Sequence, residues 1–102
     1  MRVARLIRGS AVPPAARQHV VNVGGIDWSI DFAWPDRRVG VECDGYEHHG
    51  TSREAFDQDR LKAAALASAG WRIVPVTWTE ATRRADRFLE RLAGALNAKI
   101  AL

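Results

Sequence analysis

Between Asp31 and His49 the chain gathers groups able to bind a cation or move a proton. The stretch GVECDGYEHH, residues 40–49, alone carries Glu42, Asp44, Glu47, His48 and His49. Side chains of an extended chain alternate between faces. On that rule Asp31 lies on the polar face of one strand, while Glu42 and Asp44 share a face of the next. A short turn joining the two strands antiparallel sets Asp31 beside Glu42, with neighbouring side chains about 5 Å apart. Carboxylates that close repel each other unless one keeps its proton or a cation lies between them. An all-oxygen donor set, to which the Cys43 carbonyl can add, favours Mg²⁺ or Mn²⁺ over zinc. Beside arginines, such an ion suits phosphodiester hydrolysis, since it offsets charge on phosphoryl oxygens and acidifies an attacking water. A plainer reading stays open. Carboxylates at strand ends often face solvent and pair with arginine at little net energy, and Arg37, Arg38 and Arg72 are available. His48 and His49 can equally be solvated or packed loop residues.

The elements that must position these groups are legible in outline. Arg2 to Arg8 suits a short helix stopped by Pro13-Pro14. Arg17 to Val23 reads as a strand, and Gly24-Gly25 supplies the positive φ angles of a two-residue hairpin turn. A second strand runs from Ile26 to Trp34, with Ile26, Trp28, Ile30 and Phe32 expected on one face. After a turn at Pro35-Asp36 a third strand covers Arg38 to Asp44. Thr51-Ser52-Arg53-Glu54 fits a capping box opening a helix to about Ala69, ended by Gly70. Its alanines, Ala63, Ala64, Ala65 and Ala67, would let it lie close to a sheet. Trp71 to Trp78 reads as a fourth strand, with Pro75 arguing for an edge. Thr79 is expected to cap a last helix to about Ala98, with an apolar stripe of Phe88, Leu89, Leu92 and Leu96. The four tryptophans read as packing residues, with nucleobase stacking as the alternative. The expected fold class is α/β (α+β): a three-strand antiparallel meander, then a crossover helix into a fourth strand, giving a mixed sheet flanked by helices.

Bulk properties narrow the function classes. A chain of 102 residues is enough for one domain. No apolar run approaches the roughly 20 residues of a membrane span, and no stretch reads as a signal peptide. Cys43 is the sole cysteine, which excludes an intrachain disulfide and a multi-thiolate zinc site. A cytoplasmic setting is the expectation. The net charge of +3 and pI of about 9.8 suit a polyanionic partner. Only Lys62 and Lys99 are lysines; the other cations are arginines, the better fork for phosphate oxygens.

Three segments carry a family resemblance: VPPAARQHV, IDFAWPDRRVGVECDGYEHH and DRLKAAALASAGWRIVPVTW. Over about residues 12–78 the chain resembles the bacterial endonuclease-like domain of unknown function 559. That family is related to the very-short-patch repair endonuclease within the PD-(D/E)XK restriction-endonuclease-like superfamily. The matching pieces are Pro13-Pro14 with Gln18, Asp31-Phe32-Ala33-Trp34-Pro35, Glu42 with Asp44-Gly45 and His49, Asp59 with Lys62, and Leu66 with Gly70-Trp71. The resemblance implies a restriction-endonuclease-like core, with Asp31 as first metal carboxylate and Glu42 as second acid. Asp44 falls where the superfamily often has the lysine that positions water, a cation that Lys62 could supply from the following helix. His49 falls where the repair enzyme has a histidine suited to proton transfer.

Departures from the pattern are specific. No Asp or Glu precedes Asp27, so the acid that the superfamily often takes from its first helix is missing, or the chain lacks the start of the usual domain. Ser29 and Pro75 stand where related sequences commonly have arginine. The repair enzyme's structural zinc cannot be built with Cys43 alone.

Three readings follow. The first is a Mg²⁺-dependent DNA endonuclease, or the nuclease module of a repair, mobile-element or defence system, with Asp31, Glu42, Asp44, His49 and Lys62 as catalytic candidates. Asp31, Glu42 and Cys43 are its metal candidates; Arg53, Arg60, Arg83 and Arg87 are its phosphate contacts. The second is an inactive nucleic-acid-binding or regulatory domain that keeps the fold. The third is a protein-assembly domain. A homodimer or a larger multidomain assembly is compatible with each.

Overall fold

The computed structural model of the chain describes residues 2–44 and 52–97, Asp44 by its backbone alone. Helix α1 spans Arg2–Arg8; strands β1, β2 and β3 span Ala16–Val23, Ile26–Trp34 and Val39–Asp44. Helix α2 (Arg53–Ser68) leads into β4 (Arg72–Thr77), followed by α3 (Trp78–Arg83) and α4 (Ala85–Asn97). The sheet order is β1-β2-β3-β4, antiparallel except for the parallel β3–β4 pair. This is the mixed four-stranded sheet flanked by helices expected from the sequence. Gly24 and Gly25 turn the first hairpin at φ +60° and +88°, and Pro75 sits on the edge strand, where a missing amide costs least. Among the described residues no helix is long and apolar enough to cross a membrane.

Two apolar layers hold the sheet. On one face Phe32, Trp34, Val39, Val41, Val74 and Val76 pack with Val3, Ile7, Ala81, Phe88, Leu92 and Leu96 of α1, α3 and α4. On the other, Ile30, Ala33 and Leu66 form a smaller cluster with Trp28, Trp71 and Ile73.

Four local expectations are corrected. Phe32 does not share a face with Trp28 and Ile30; it lies in the opposite layer, because alternation breaks at Asp31. Ser52, not Thr51, caps α2, its side chain accepting the Ala55 amide; Thr51 is outside the described residues. The final helix is two helices. Thr77 caps the first by accepting the Glu80 amide, and the chain breaks at Arg84, φ −140°. Of the α2 alanines expected to face the sheet, only Ala65 is half-buried. Only Leu66 is buried, Ala63, Ala64 and Ala67 face outward, and Phe56 and Leu61 are exposed.

Candidate active site

The β2–β3 ladder runs from Trp34↔Val39 to Phe32↔Val41 and stops there. One step further the same register would set Asp31 opposite Glu42. Instead the strands part, and the Asp31 carboxylate bridges the fork: its Oδ2 accepts the Cys43 amide at 2.9 Å. Leaving a shielded amide unpaired is costly, so this bond fixes the Asp31 side chain.

Glu42 points to the α2 face of the sheet, where Lys62 approaches from above. Lys62 Nζ lies 2.6 Å from Glu42 Oε1, which is itself shielded from solvent. Burial pushes the Glu42 carboxyl up to about 7; Lys62 pulls against this, and the adjacent Asp31 carboxyl adds to it. Asp31 thus stands close enough to Glu42 to disfavour its ionisation. An oxygen pair of this kind, one member desolvated and held ready for positive charge, fits a hard divalent ion. Among the described residues no group of three or more His, Cys, Asp or Glu side chains surrounds it.

The remaining candidates sort by position. Cys43 follows Glu42 in β3, pairs with Val76 across the parallel ladder and packs its side chain against the larger core layer. Asp44 ends β3 beside Thr77. His49 lies outside the described residues, as do Glu47 and His48. Arg53 and Arg60 are exposed on α2, on the site's side of the sheet, with the Arg60 guanidinium 5.8 Å above the Phe56 ring. Arg83 and Arg87 are exposed on α3 and α4, across the sheet from Glu42. The four arginines are therefore divided between two faces.

The arginines offered as ordinary partners for the carboxylates are committed elsewhere. Arg37 donates to the Leu96 carbonyl, Arg38 to Ala69 and Arg72 to Ala95, each closing the C-terminal end of a helix. The cation at Glu42 is Lys62. Of the tryptophans, Trp34 is buried, with its indole N–H donating to the Pro13 carbonyl, whereas Trp78 is 62 % exposed.

Two positions bear on the site in ways that the sequence reading did not give. Gly40 lets the strands close up: a Cβ there would stand 2.7 Å from Ile30 Cγ2 and 3.0 Å from Ile73 Cδ1. A glycine inside a strand was itself the available signal. Gln18, across β1 from Asp31, adopts φ +49°. Nothing in a glutamine announces that conformation.

Two proteins of Mycobacterium tuberculosis, Uncharacterized protein MT2308 of strain CDC 1551 / Oshkosh and Uncharacterized protein Rv2248 of strain ATCC 25618 / H37Rv, are each 36% identical over 74 residues. The match covers 72% of this chain and 27% of each relative, so the chain spans about a quarter of their length. No solved structure matches. The model of the restriction-endonuclease-like family REase_MTES_1575 matches residues 3–96, nearly the whole chain, and the protein belongs to that family.

Proposed function

We propose that the domain is a metal-dependent DNA endonuclease, acting alone or as the nuclease module of a repair, mobile-element or defence system. The observation that carries this reading is the convergence of Asp31 and Glu42 at the β2–β3 fork, one carboxylate tied to a backbone amide, the other half-buried, disfavoured by Asp31 and paired with Lys62. Asp31 and Glu42 would hold Mg²⁺ or Mn²⁺, with the Cys43 carbonyl as a further oxygen. Such an ion supplies charge neutralisation at a phosphoryl oxygen and a more acidic attacking water. Lys62, in contact with Glu42, would orient that water; His49 would be the proton-transfer candidate and Asp44 an assisting acid. Arg53 and Arg60 would bind phosphates on the site's side. Arg83 and Arg87 would reach a duplex only where it passes round the β4 edge. Kinship with the domain of unknown function 559 and the very-short-patch endonuclease is the finer form of this proposal, supported by the motifs within residues 12–78.

The test is nicking of supercoiled plasmid with Mg²⁺ or Mn²⁺. Wild type should nick and stop with chelator, while Asp31→Asn and Glu42→Gln should stay folded and lose activity. A second reading, a non-catalytic DNA-binding domain, draws on the Lys62 ammonium already paired with Glu42 and on the missing third ligand side chain among the described residues. Mobility shifts independent of metal, with intact strands, would select it and reject the nuclease. No DNA binding at low salt would reject both and favour a protein-assembly role.

A further inference from the structure

In a regular strand the residues either side of any position share a face. Around Gln18 they do not. Arg17 places its guanidinium 4.7 Å above the Phe32 ring, which belongs to the layer of α1, α3 and α4. His19 meets Trp71, centroids 5.6 Å apart, in the α2-side layer. The partner strand makes the same switch: Ile30 is in the α2-side layer, Phe32 in the other, Ala33 back in the first. The β1–β2 register is constant on both sides of the break, from Ala16↔Ala33 and Arg17↔Phe32 to His19↔Ile30 and beyond, but the intervening pair, Gln18 with Asp31, is absent from the ladder. No residue is inserted; the frame of both strands turns over at this one pair.

The turnover has a consequence for the fork. If the strand ran unbroken in the frame of Ile30, Asp31 would point away from the face that carries Glu42. If it ran unbroken in the frame of Phe32 and Trp34, Ile30 would leave the α2-side core, where it fills the space above Gly40. Only a break between Ile30 and Phe32 allows the buried isoleucine and the Asp31–Glu42 meeting together. The left-handed backbone of Gln18, φ +49°, is the local cause available on the facing strand. A non-glycine residue adopts that region only when its surroundings hold it there. One such restraint is visible: Ser29 Oγ donates to Gln18 Oε1 at 3.0 Å.

We propose that Gln18 is a positioning residue, whose left-handed backbone turns Asp31 out of strand alternation and toward Glu42 and the Cys43 amide. The consequence for metal binding rests on the function proposed above; the consequence for the Cys43 amide does not. The experiment therefore reads both. Gln18→Gly and Gln18→Asn accept positive φ; Gln18→Ala accepts it poorly and Gln18→Val worst. In ¹⁵N-resolved NMR spectra, with Asp31→Ala marking the position of a Cys43 amide that lacks its acceptor, Gly and Asn variants should keep the wild-type Cys43 shift. Ala and Val variants should move progressively toward the Asp31→Ala position. Mn²⁺ affinity by calorimetry should stay within about threefold of wild type for Gly and Asn and fall tenfold or more for Val. If Val does not fold, the Ala variant carries the comparison.

A folded Ala or Val variant with an unmoved Cys43 amide overturns the proposal. So does a Gly variant as displaced as Val, since the side chain and not the backbone would then be responsible. Wild type that binds no Mn²⁺ while the amide series behaves as expected would remove the metal reading and leave the positioning role standing.

Discussion

Lys62→Met removes one charge from the site and little volume, so its effect can be worked from the ion pair. Lys62 Nζ is 2.6 Å from Glu42 Oε1, with the two side chains 26% and 21% exposed. Deleting one partner of a fully buried pair costs about 3–5 kcal/mol, and of an exposed pair about 0–1 kcal/mol. An intermediate loss of about 2 kcal/mol is expected when Glu42 is ionised. That condition makes the loss depend on pH. An acid whose folded pKa lies above its unfolded value weakens the fold as pH rises between the two. Glu42 goes from an ordinary 4.5 to about 7. Wild type should therefore lose stability across that window, by at most about 3 kcal/mol, and then level off.

At pH 5 Glu42 is protonated in the native protein, the pair is not formed and Met should cost almost nothing. Above pH 7 the variant has no ammonium to hold the carboxylate, its Glu42 is pushed higher still, and the decline should continue. A further loss of about 2 kcal/mol corresponds to a decline prolonged by about 1.5 pH units. Urea unfolding at pH 5, 7 and 9 of wild type, Lys62→Met and Glu42→Gln measures this, with Glu42→Gln expected to flatten the profile. A Lys62→Met variant equally destabilised at pH 5 and pH 9 would refute the reasoning, because the lysine would then matter for packing and not for its charge on Glu42.

The other expectations concern the frame and the ligand. Gly40→Ala should destabilise by about 1–3 kcal/mol, read by thermal melting, because the new methyl meets two isoleucine side chains in a packed layer. Arg91→Met should cost no more than about 1 kcal/mol despite its two-pronged contact with Glu80, since that pair lies at the surface. Arg91 also holds the Pro75 carbonyl of the edge strand, so amide exchange in β4 is the place where that loss should show. Replacing Arg53 and Arg60 together by Gln should weaken DNA binding and lower the slope of log K against log salt by about 2, while the matching change at Arg83 and Arg87 should do less; equal effects would mean that the duplex is not seated on the α2 face.

What the sequence determined by itself was the order of the elements as far as β4, with a helical segment after it that the structure divides in two. Gly24-Gly25 and Gly70 mark their own turns because few residues tolerate those backbone angles, Pro35-Asp36 marks another because proline cannot continue a ladder, and apolar periodicity marks the strands and α4 because burial repeats with the backbone. Helix caps were less legible: Ser52 and Thr77 act where Thr51 and Thr79 were expected, since neighbouring hydroxyls differ by backbone angles that the fold sets. The acids of the site could be named from type and spacing. Their relation could not. Tertiary structure decided that Asp31 turns across a broken ladder to the Cys43 amide, that Lys62 and none of Arg37, Arg38 or Arg72 meets Glu42, and that the four candidate phosphate-binding arginines divide between two faces. The physical reason is common to all three. Alternation and spacing are local rules, whereas the face a carboxylate reaches depends on a break made jointly by two strands, and the charge it feels depends on a helix that returns from elsewhere in the chain.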